Sequence, residues 1–144
     1  MKKYKQTFIP SVSTGIIKNS IAAAKEYYAK NLQGKSVKNI DTGFEIKFTS
    51  DGKRKLSSKE DVYTKKTALL QCLRKLLEVA EFNNFGQRKE KDKQSVLGYL
   101  NFKAKAKIDN KIENIRIAVT VKVNEVSRTR EKSFYNYEIN KIEV

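Results

Sequence analysis

Alternation of apolar and polar positions marks the second half of the chain as strand-rich. Residues 99–108 and 115–123 both carry an apolar residue at every second position, a period typical of half-buried strands. A turn at 109–111 separates them, and a charged loop at 125–132 leads to a third predicted strand, 133–142, rich in aromatic and aliphatic residues. The pattern predicts a three-stranded antiparallel meander.

The first half of the chain predicts a helix and a hairpin. Apolar residues recur at helical spacing over 15–32, where Ser13 or Thr14 can cap the helix. Two short strands, 37–40 and 44–48, flank a glycine-containing turn. The hairpin follows the helix directly in the sequence.

A stripe of leucines predicts a second, longer helix over 58–81. Residues 82–95 are expected to form a loop, whose mixed charges favour solvated surface over a lid or a polyanion clamp. Residues 1–13 are expected to be a flexible N-terminal arm before a single domain, 14–144. The predicted class is α+β, with an N-terminal helix, a β-hairpin, a long helix and the meander, and with helices packed on one sheet face.

The composition excludes several kinds of chemistry. The chain has 144 residues, no histidine and one cysteine, Cys72. A Ser-His-Asp or Cys-His nucleophile system is therefore impossible, as are a His-ligated metal, a Cys₄ cage and an intrachain disulfide. Cys72 is expected to act as a small hydrophobic residue. We expect no cofactor and no metal.

No targeting segment is visible, and no apolar run approaches the length of a membrane span. We therefore expect a cytoplasmic protein that does not contact membranes.

Positive charge is the main functional signal. Thirty-one Lys and Arg stand against 16 Asp and Glu, giving a formal net charge of +15. Such an excess favours polyanionic partners, although a lysine-rich proteome is an alternative explanation. If Phe102 and Ala104 share the buried face with Ile115 and Ile117, the opposite face collects cations. These predicted nucleic-acid-binding residues are Lys103, Lys105, Lys107, Arg116 and Lys122.

The spacing of the three lysines suits a phosphate backbone. Alternate residues of a strand repeat about every 7 Å, which resembles the phosphate spacing of an extended single strand. Tyr135 and Tyr137 are expected to share one face of the last strand, and if that is the basic face they could stack on unpaired bases. Ordinary packing on the sheet and a solvated cationic face are the alternatives.

The sequence resembles a large polyvalent protein-associated domain, a class found in phages and conjugative elements. The resemblance covers about residues 35–140 and leaves the first helix outside. It is carried by residues 37–48, 52–55, 68–69, 76–80, 102–108 and 115–123 and by the tyrosine-bearing last strand. It implies an accessory protein of a mobile element.

The order of elements is also similar to the barnase, EndoU, colicin and RelE-like nuclease group. That similarity implies a metal-independent ribonuclease, which without histidine would use lysine, arginine and tyrosine. Lys55 and Arg116 are then candidates for phosphate stabilisation, and Tyr135 and Tyr137 for acid–base work. No diagnostic carboxylate pair or phosphate-binding glycine motif supports catalysis.

Three hypotheses follow. The first is a non-catalytic protein that binds RNA or single-stranded nucleic acid through the basic sheet face. The second is a ribonuclease or tRNase toxin, whose partner would be an antitoxin. The third is a protein inhibitor of a host nuclease or defence complex.

Overall fold

The computed structural model describes residues 3–18, 20–54, 56, 63–124 and 126–140. Within these residues, seven strands form one sheet and four short helices accompany it. The strands are β1 (Ser11–Val12), β2 (Ser36–Lys38), β3 (Glu45–Lys47), β4 (Glu81–Gln87), β5 (Val96–Ile108), β6 (Lys111–Val123) and β7 (Arg130–Asn140). The helices are α1 (Ile21–Asn31), α2 (Ser50–Arg54), α3 (Tyr63–Leu69) and α4 (Leu73–Val79).

Three long antiparallel strands, β5, β6 and β7, form the centre of the sheet. Phe102 pairs with Ile117 and Ala104 with Ile115, so the predicted register is confirmed. A two-residue turn joins β5 to β6, and both of its residues have positive φ. Asp and Asn tolerate that conformation better than most residues, which explains the tight connection.

Shorter strands extend the sheet on both sides. β4 pairs antiparallel with the first half of β5, and β1 pairs parallel with its end. On the other side β3 lies parallel to β7, and β2 completes the predicted hairpin with β3. The strand order is β1-β5-β6-β7-β3-β2, with β4 beside β5.

The predicted fold class is wrong, because the chain is mostly sheet. The seven strands curl around short helices, whereas the sequence predicted a helix-led α+β fold with a three-stranded meander. Residues 82–87, predicted as loop, form β4. This segment lacks alternation, and its pairing comes from the neighbouring strand β5 and from Phe82, whose ring packs edge-on against Phe102.

The helices are also shorter than predicted. Helix α1 begins at Ile21 because Ser20 is its N-cap and accepts a hydrogen bond from the Ala23 amide at 3.1 Å. Thr14, one of the two predicted caps, instead donates its hydroxyl to the Asp109 carboxylate after β5. None of the helices in the described part of the chain has the length and apolarity to cross a membrane.

The predicted helix 58–81 is interrupted within its described part. The amides of residues 70–72 each bond the carbonyl three residues earlier, which tightens the chain into a turn between α3 and α4. Residues 58–62 lie outside the described part of the chain. The interruption lets both short helices bury their leucines against the sheet.

The core lies between the helices and one face of the central strands. Leu73, Leu76 and Leu77 of α4 are buried in one cluster with Phe102 and Ile117. This arrangement confirms that the leucine stripe packs on the predicted apolar face. The lysines of β5 therefore point to the other side, which we call the outer face.

Residues 3–12 run along the edge of β5. The side-chain amide of Gln6 donates to the Lys105 carbonyl at 2.8 Å and accepts from the Lys105 amide at 2.7 Å. Tyr4 donates its hydroxyl to the Val79 carbonyl, and the Pro10 carbonyl accepts from the Lys107 amide. These bonds satisfy backbone groups of β5 beyond the end of β4.

Candidate nucleic-acid interface

The outer face brings three of the predicted cations together. Lys103 and Arg116 are direct cross-strand neighbours on β5 and β6, and both are exposed. Lys105 follows on the same side of β5 and is also exposed, whereas Lys107 is half-buried. The four side chains form a cationic track, Lys103, Lys105, Lys107 and Arg116.

An acidic residue, Glu81, borders this cationic track. Glu81 on β4 lies 4.0 Å from the Lys103 ammonium. Within the described residues, neither Lys105 nor Lys107 has an ion-pair partner. The positive charge of the outer face is thus partly neutralised by Glu81. Its two cations without an ion-pair partner among the described residues, Lys105 and Lys107, lie along β5.

Lys122 is separated from the cationic track. It lies six residues along β6 from Arg116, a distance of roughly 20 Å in a strand. Its ammonium contacts the Asp51 carboxylate of α2 at 2.9 Å. Lys122 therefore belongs to a second cationic group at the other end of the outer face.

The two tyrosines of β7 do not share a face. The register of β6 and β7 shifts between Ala118 and Val119, so Tyr135 is an extra residue at a β-bulge. Tyr137 is buried and donates its hydroxyl to the Lys66 carbonyl at 2.6 Å. Regular alternation would have kept the two tyrosines on one face, and the sequence carries no local signal for the bulge that separates them.

Tyr135 and Arg116 meet at one hollow of about 280 Å³ on the outer face. Asn101, Lys89 and Tyr137 complete its polar lining. Lys55, the other cation proposed for catalysis, lies outside the described residues. Three of the four catalytic candidates therefore line one hollow, but the Tyr137 side chain is buried in the core and its hydroxyl is bonded to the Lys66 carbonyl.

A second concavity, the Tyr99 cleft, opens beside Tyr135. It has a volume of about 370 Å³ and lies where β5, β6 and β7 meet α2 and the 88–95 loop. Its polar lining residues are Asp51, Arg54, Lys91, Asp92, Lys93, Tyr99, Thr120, Lys122, Ser133 and Tyr135. Of these residues, only Lys122 and Tyr135 were predicted from the sequence to belong to a site.

The 88–95 loop forms one wall of the Tyr99 cleft through specific hydrogen bonds. Tyr99 donates its hydroxyl to the Asp92 carboxylate at 2.7 Å, and the Lys89 amide donates to the same group. The Arg88 guanidinium donates to the carbonyls of Asp92 and Lys93. The loop predicted as solvated surface is therefore folded against the start of β5.

The contact between Tyr99 and Asp92 shifts the pKa of both side chains. The hydrogen bond from Tyr99 lowers the pKa of the Asp92 carboxyl below its ordinary value. Burial, followed by the bond to Asp92, raises the pKa of the Tyr99 hydroxyl. At neutral pH the carboxylate is charged and the phenol neutral, as this hydrogen bond requires.

Helix α2 forms the opposite wall of the Tyr99 cleft. Asp51 pairs with both Lys122 and Arg54, and Gly52 lets the helix approach the buried ring of Phe134. A signal for the cleft did exist, because Thr120 occupies a polar position of the alternating strand β6 and faces Tyr99 in the register.

The described residues contain no group of three or more acidic or cysteine side chains that could hold a metal ion. The cationic track and the cleft instead suit anionic and aromatic groups. Both lie on one sheet face, with Tyr135 lining the cleft and the hollow beside Arg116.

The chain belongs to the large polyvalent protein-associated domain 3 family, whose model matches residues 17–132. The match includes α1, which the resemblance found in the sequence had left outside. Membership identifies the chain as a protein associated with phages or mobile elements. No curated protein and no solved structure matches the chain, and the likeness to nucleases is not confirmed.

Proposed function

We propose that this mobile-element protein binds RNA or another single-stranded nucleic acid across its outer sheet face. The observation that carries the proposal is the cross-strand pair of Lys103 and Arg116 with Lys105 beside it. Directly opposed like charges on a sheet destabilise it. A phosphate backbone on the outer face relieves that repulsion.

The geometry of β5 supports a backbone ligand. Lys103, Lys105 and Lys107 repeat about every 7 Å along the strand, which is close to the separation of phosphates in an extended single strand. The three side chains can thus contact successive phosphates without bending the ligand. Contacts of this kind provide affinity but no sequence selection.

The hollow between Arg116 and Tyr135 adds a place for an unpaired base. Tyr135 is half-buried and lines the hollow. Aromatic rings on a sheet are a common platform for stacking bases of single-stranded RNA. This feature favours single-stranded over duplex ligands, whose bases are already stacked.

Incubation with labelled nucleic acids in EDTA tests the proposal. Single-stranded RNA, tRNA, single-stranded DNA and duplex DNA are analysed on native and denaturing gels. We expect retarded, intact single-stranded ligand and weaker retardation of the duplex. Cleavage would instead indicate the ribonuclease hypothesis, and absence of retardation at low salt would contradict the proposal and favour a protein partner.

A further inference from the structure

We infer that the Tyr99 cleft binds one nucleotide unit, with its phosphate directed at Thr120, Ser133 and Lys122. The inference rests on the proposed function, because it assigns to the cleft a nucleotide of the strand bound on the outer face. It concerns a separate site, since none of the four residues of the cationic track lines the cleft.

Two hydroxyl-bearing residues on the floor of the cleft carry the inference. Thr120 and Ser133 are cross-strand partners on β6 and β7, and they are only 4% and 8% exposed. Their chain neighbours Val119 and Phe134 are in the core, so the hydroxyl-bearing side chains lie on the outer side, where they line the cleft.

Neither hydroxyl has a hydrogen-bond partner among the described residues. Both hydroxyl oxygens are open to the cleft, since neither is among the fully buried side-chain atoms that lack a partner. An acceptor placed in the cleft would satisfy both, and two adjacent O–H donors match two oxygens of one phosphate. The hydroxyls of Thr120 and Ser133 therefore form a polar floor of the cleft that is already in place to bind a phosphate.

The charges around the cleft favour an anion. Its described lining contains four cations, Arg54, Lys91, Lys93 and Lys122, against the carboxylates of Asp51 and Asp92. Asp92 is engaged by Tyr99, and Asp51 by Arg54 and Lys122. Lys91 and Lys93 have no ion-pair partner in the described part of the chain. A phosphate adds charge-assisted bonds to this set.

An aromatic wall next to the charges indicates a nucleotide and not phosphate alone. The rings of Tyr99 and Tyr135 lie 5.3 Å apart, and Tyr135 is the more exposed. A base can pack against Tyr135 while its phosphate reaches Thr120. The cleft, at about 370 Å³, lies in the size range of small-ligand sites.

Tyr135 links the cleft to the rest of the outer face. Its ring borders both the Tyr99 cleft and the hollow that contains Arg116. A strand lying along the cationic track can therefore place its end in the cleft. The cationic track and the Tyr99 cleft would then bind the same single strand. The track would contact its phosphates, and the cleft would select one nucleotide by its shape.

Titrations with adenosine and uridine 5′-monophosphates, their nucleosides and inorganic phosphate test the inference. Amide NMR shifts of the full chain locate binding, and calorimetry measures it. We expect monophosphates to shift Tyr99, Thr120 and Ser133 with a dissociation constant of about 1 mM or tighter. Nucleosides and phosphate should each bind at least about ten-fold more weakly, because each makes half of the contacts.

Thr120→Val removes one hydroxyl and keeps the β-branched shape that suits a strand. It should weaken monophosphate binding about ten-fold, the effect of losing a hydrogen bond to a charged group. Ser133→Ala is the second variant, so that misfolding of one leaves the test intact. Thr129→Val, at an exposed threonine that does not line the cleft, is the matched control and should change nothing.

The outcomes separate the two proposals. Two results would overturn the nucleotide site alone while the protein still retards RNA. One is that monophosphates cause no amide NMR shifts at the cleft. The other is that both hydroxyl variants keep the wild-type affinity for monophosphates. Absence of RNA binding overturns the proposed function and with it this inference. Shifts confined to the β5 lysines also overturn the nucleotide site.

Discussion

Asn39 shows how one buried polar side chain joins the hairpin to the helical layer. Its amide nitrogen donates to the carbonyls of Leu77 and Ala80 at 2.8 and 2.9 Å. Its amide oxygen accepts from the backbone and hydroxyl of Thr42. The residue therefore satisfies carbonyls at the end of α4, which the helix itself cannot, and orders the β2–β3 turn.

Replacing Asn39 tests that role. Asn39→Ala leaves two carbonyls of the α4 end and one turn amide without these partners, so we expect a loss of about 3 kcal/mol in the free energy of unfolding. The control is Asn31→Ala, since Asn31 is exposed and makes one local bond to the Tyr27 carbonyl. Its effect should stay within about 0.5 kcal/mol. Equal urea midpoints for the two variants would contradict the assignment.

Cys72 gives a second prediction for a single residue. Burial raises the pKa of its thiol from the ordinary 9.0 to about 12, so the native protein at pH 8 contains almost no thiolate. A thiol reagent should react with Cys72 only after unfolding in urea. Rapid stoichiometric reaction of the native chain would show that the thiol is accessible.

The same shift fixes a pH dependence. The unfolded chain releases the thiol proton near pH 9, whereas the folded chain holds it until about pH 12. The stabilising contribution is therefore complete below pH 9 and is lost as the pH rises through this range. Cys72→Ala should show a smaller fall in its urea midpoint between pH 8 and pH 11 than the wild type.

At the scale of elements, α2 depends on a glycine. A Cβ atom at Gly52 would lie 2.5 Å from a ring carbon of Phe134 and 2.6 Å from the Tyr28 hydroxyl oxygen. Both rings are buried and cannot move away easily. Gly52→Ala should therefore cost about 1–3 kcal/mol of stability, measured by urea unfolding.

Lys53→Ala is the matched control for Gly52, because it alters the same helix at a half-exposed position. Its free energy of unfolding should stay within about 0.5 kcal/mol of wild type. If Gly52→Ala behaves like Lys53→Ala, the close approach of α2 to β7 is not as described. The shape of the Tyr99 cleft would then need revision, since α2 forms one wall.

The sequence was informative about elements where burial imposes a period. Alternation predicted β5, β6 and their register, because a one-residue slip would expose Phe102 and Ile117. It did not predict β4, whose residues do not alternate and whose pairing depends on β5 and on the contact of Phe82 with Phe102. The break between α3 and α4 was hidden as well, since the leucines on both sides of the turn keep a helix-like spacing.

The candidate site was predicted in part for the same reason. Lys103, Lys105 and Arg116 follow from alternation alone, and the structure places them together. The Tyr99 cleft did not follow, because it needs α2, the 88–95 loop and the bulge at Tyr135 to meet. Contacts between segments distant in sequence leave no local pattern.

At the scale of the whole molecule, charge is divided between the two sides of the sheet. The outer face carries the cationic track and the cations of the Tyr99 cleft, whereas the other face is the apolar core. Lys18, before α1, and Lys30, in α1, are exposed and lie outside the outer face. Replacing Lys18 and Lys30 removes two positive charges, as replacing Lys105 and Arg116 does, but it leaves the proposed interface unchanged.

The most direct test of the proposed interface is the salt dependence of single-stranded RNA binding. Four engaged cations, at about −0.7 per phosphate, predict a log–log slope of about −2.8. Lys105→Ala/Arg116→Ala should weaken binding to all sequences and flatten the slope by about 1.4. Lys18→Ala/Lys30→Ala should keep the wild-type slope. Equal slopes and affinities for both folded double variants would contradict an interface on the outer face.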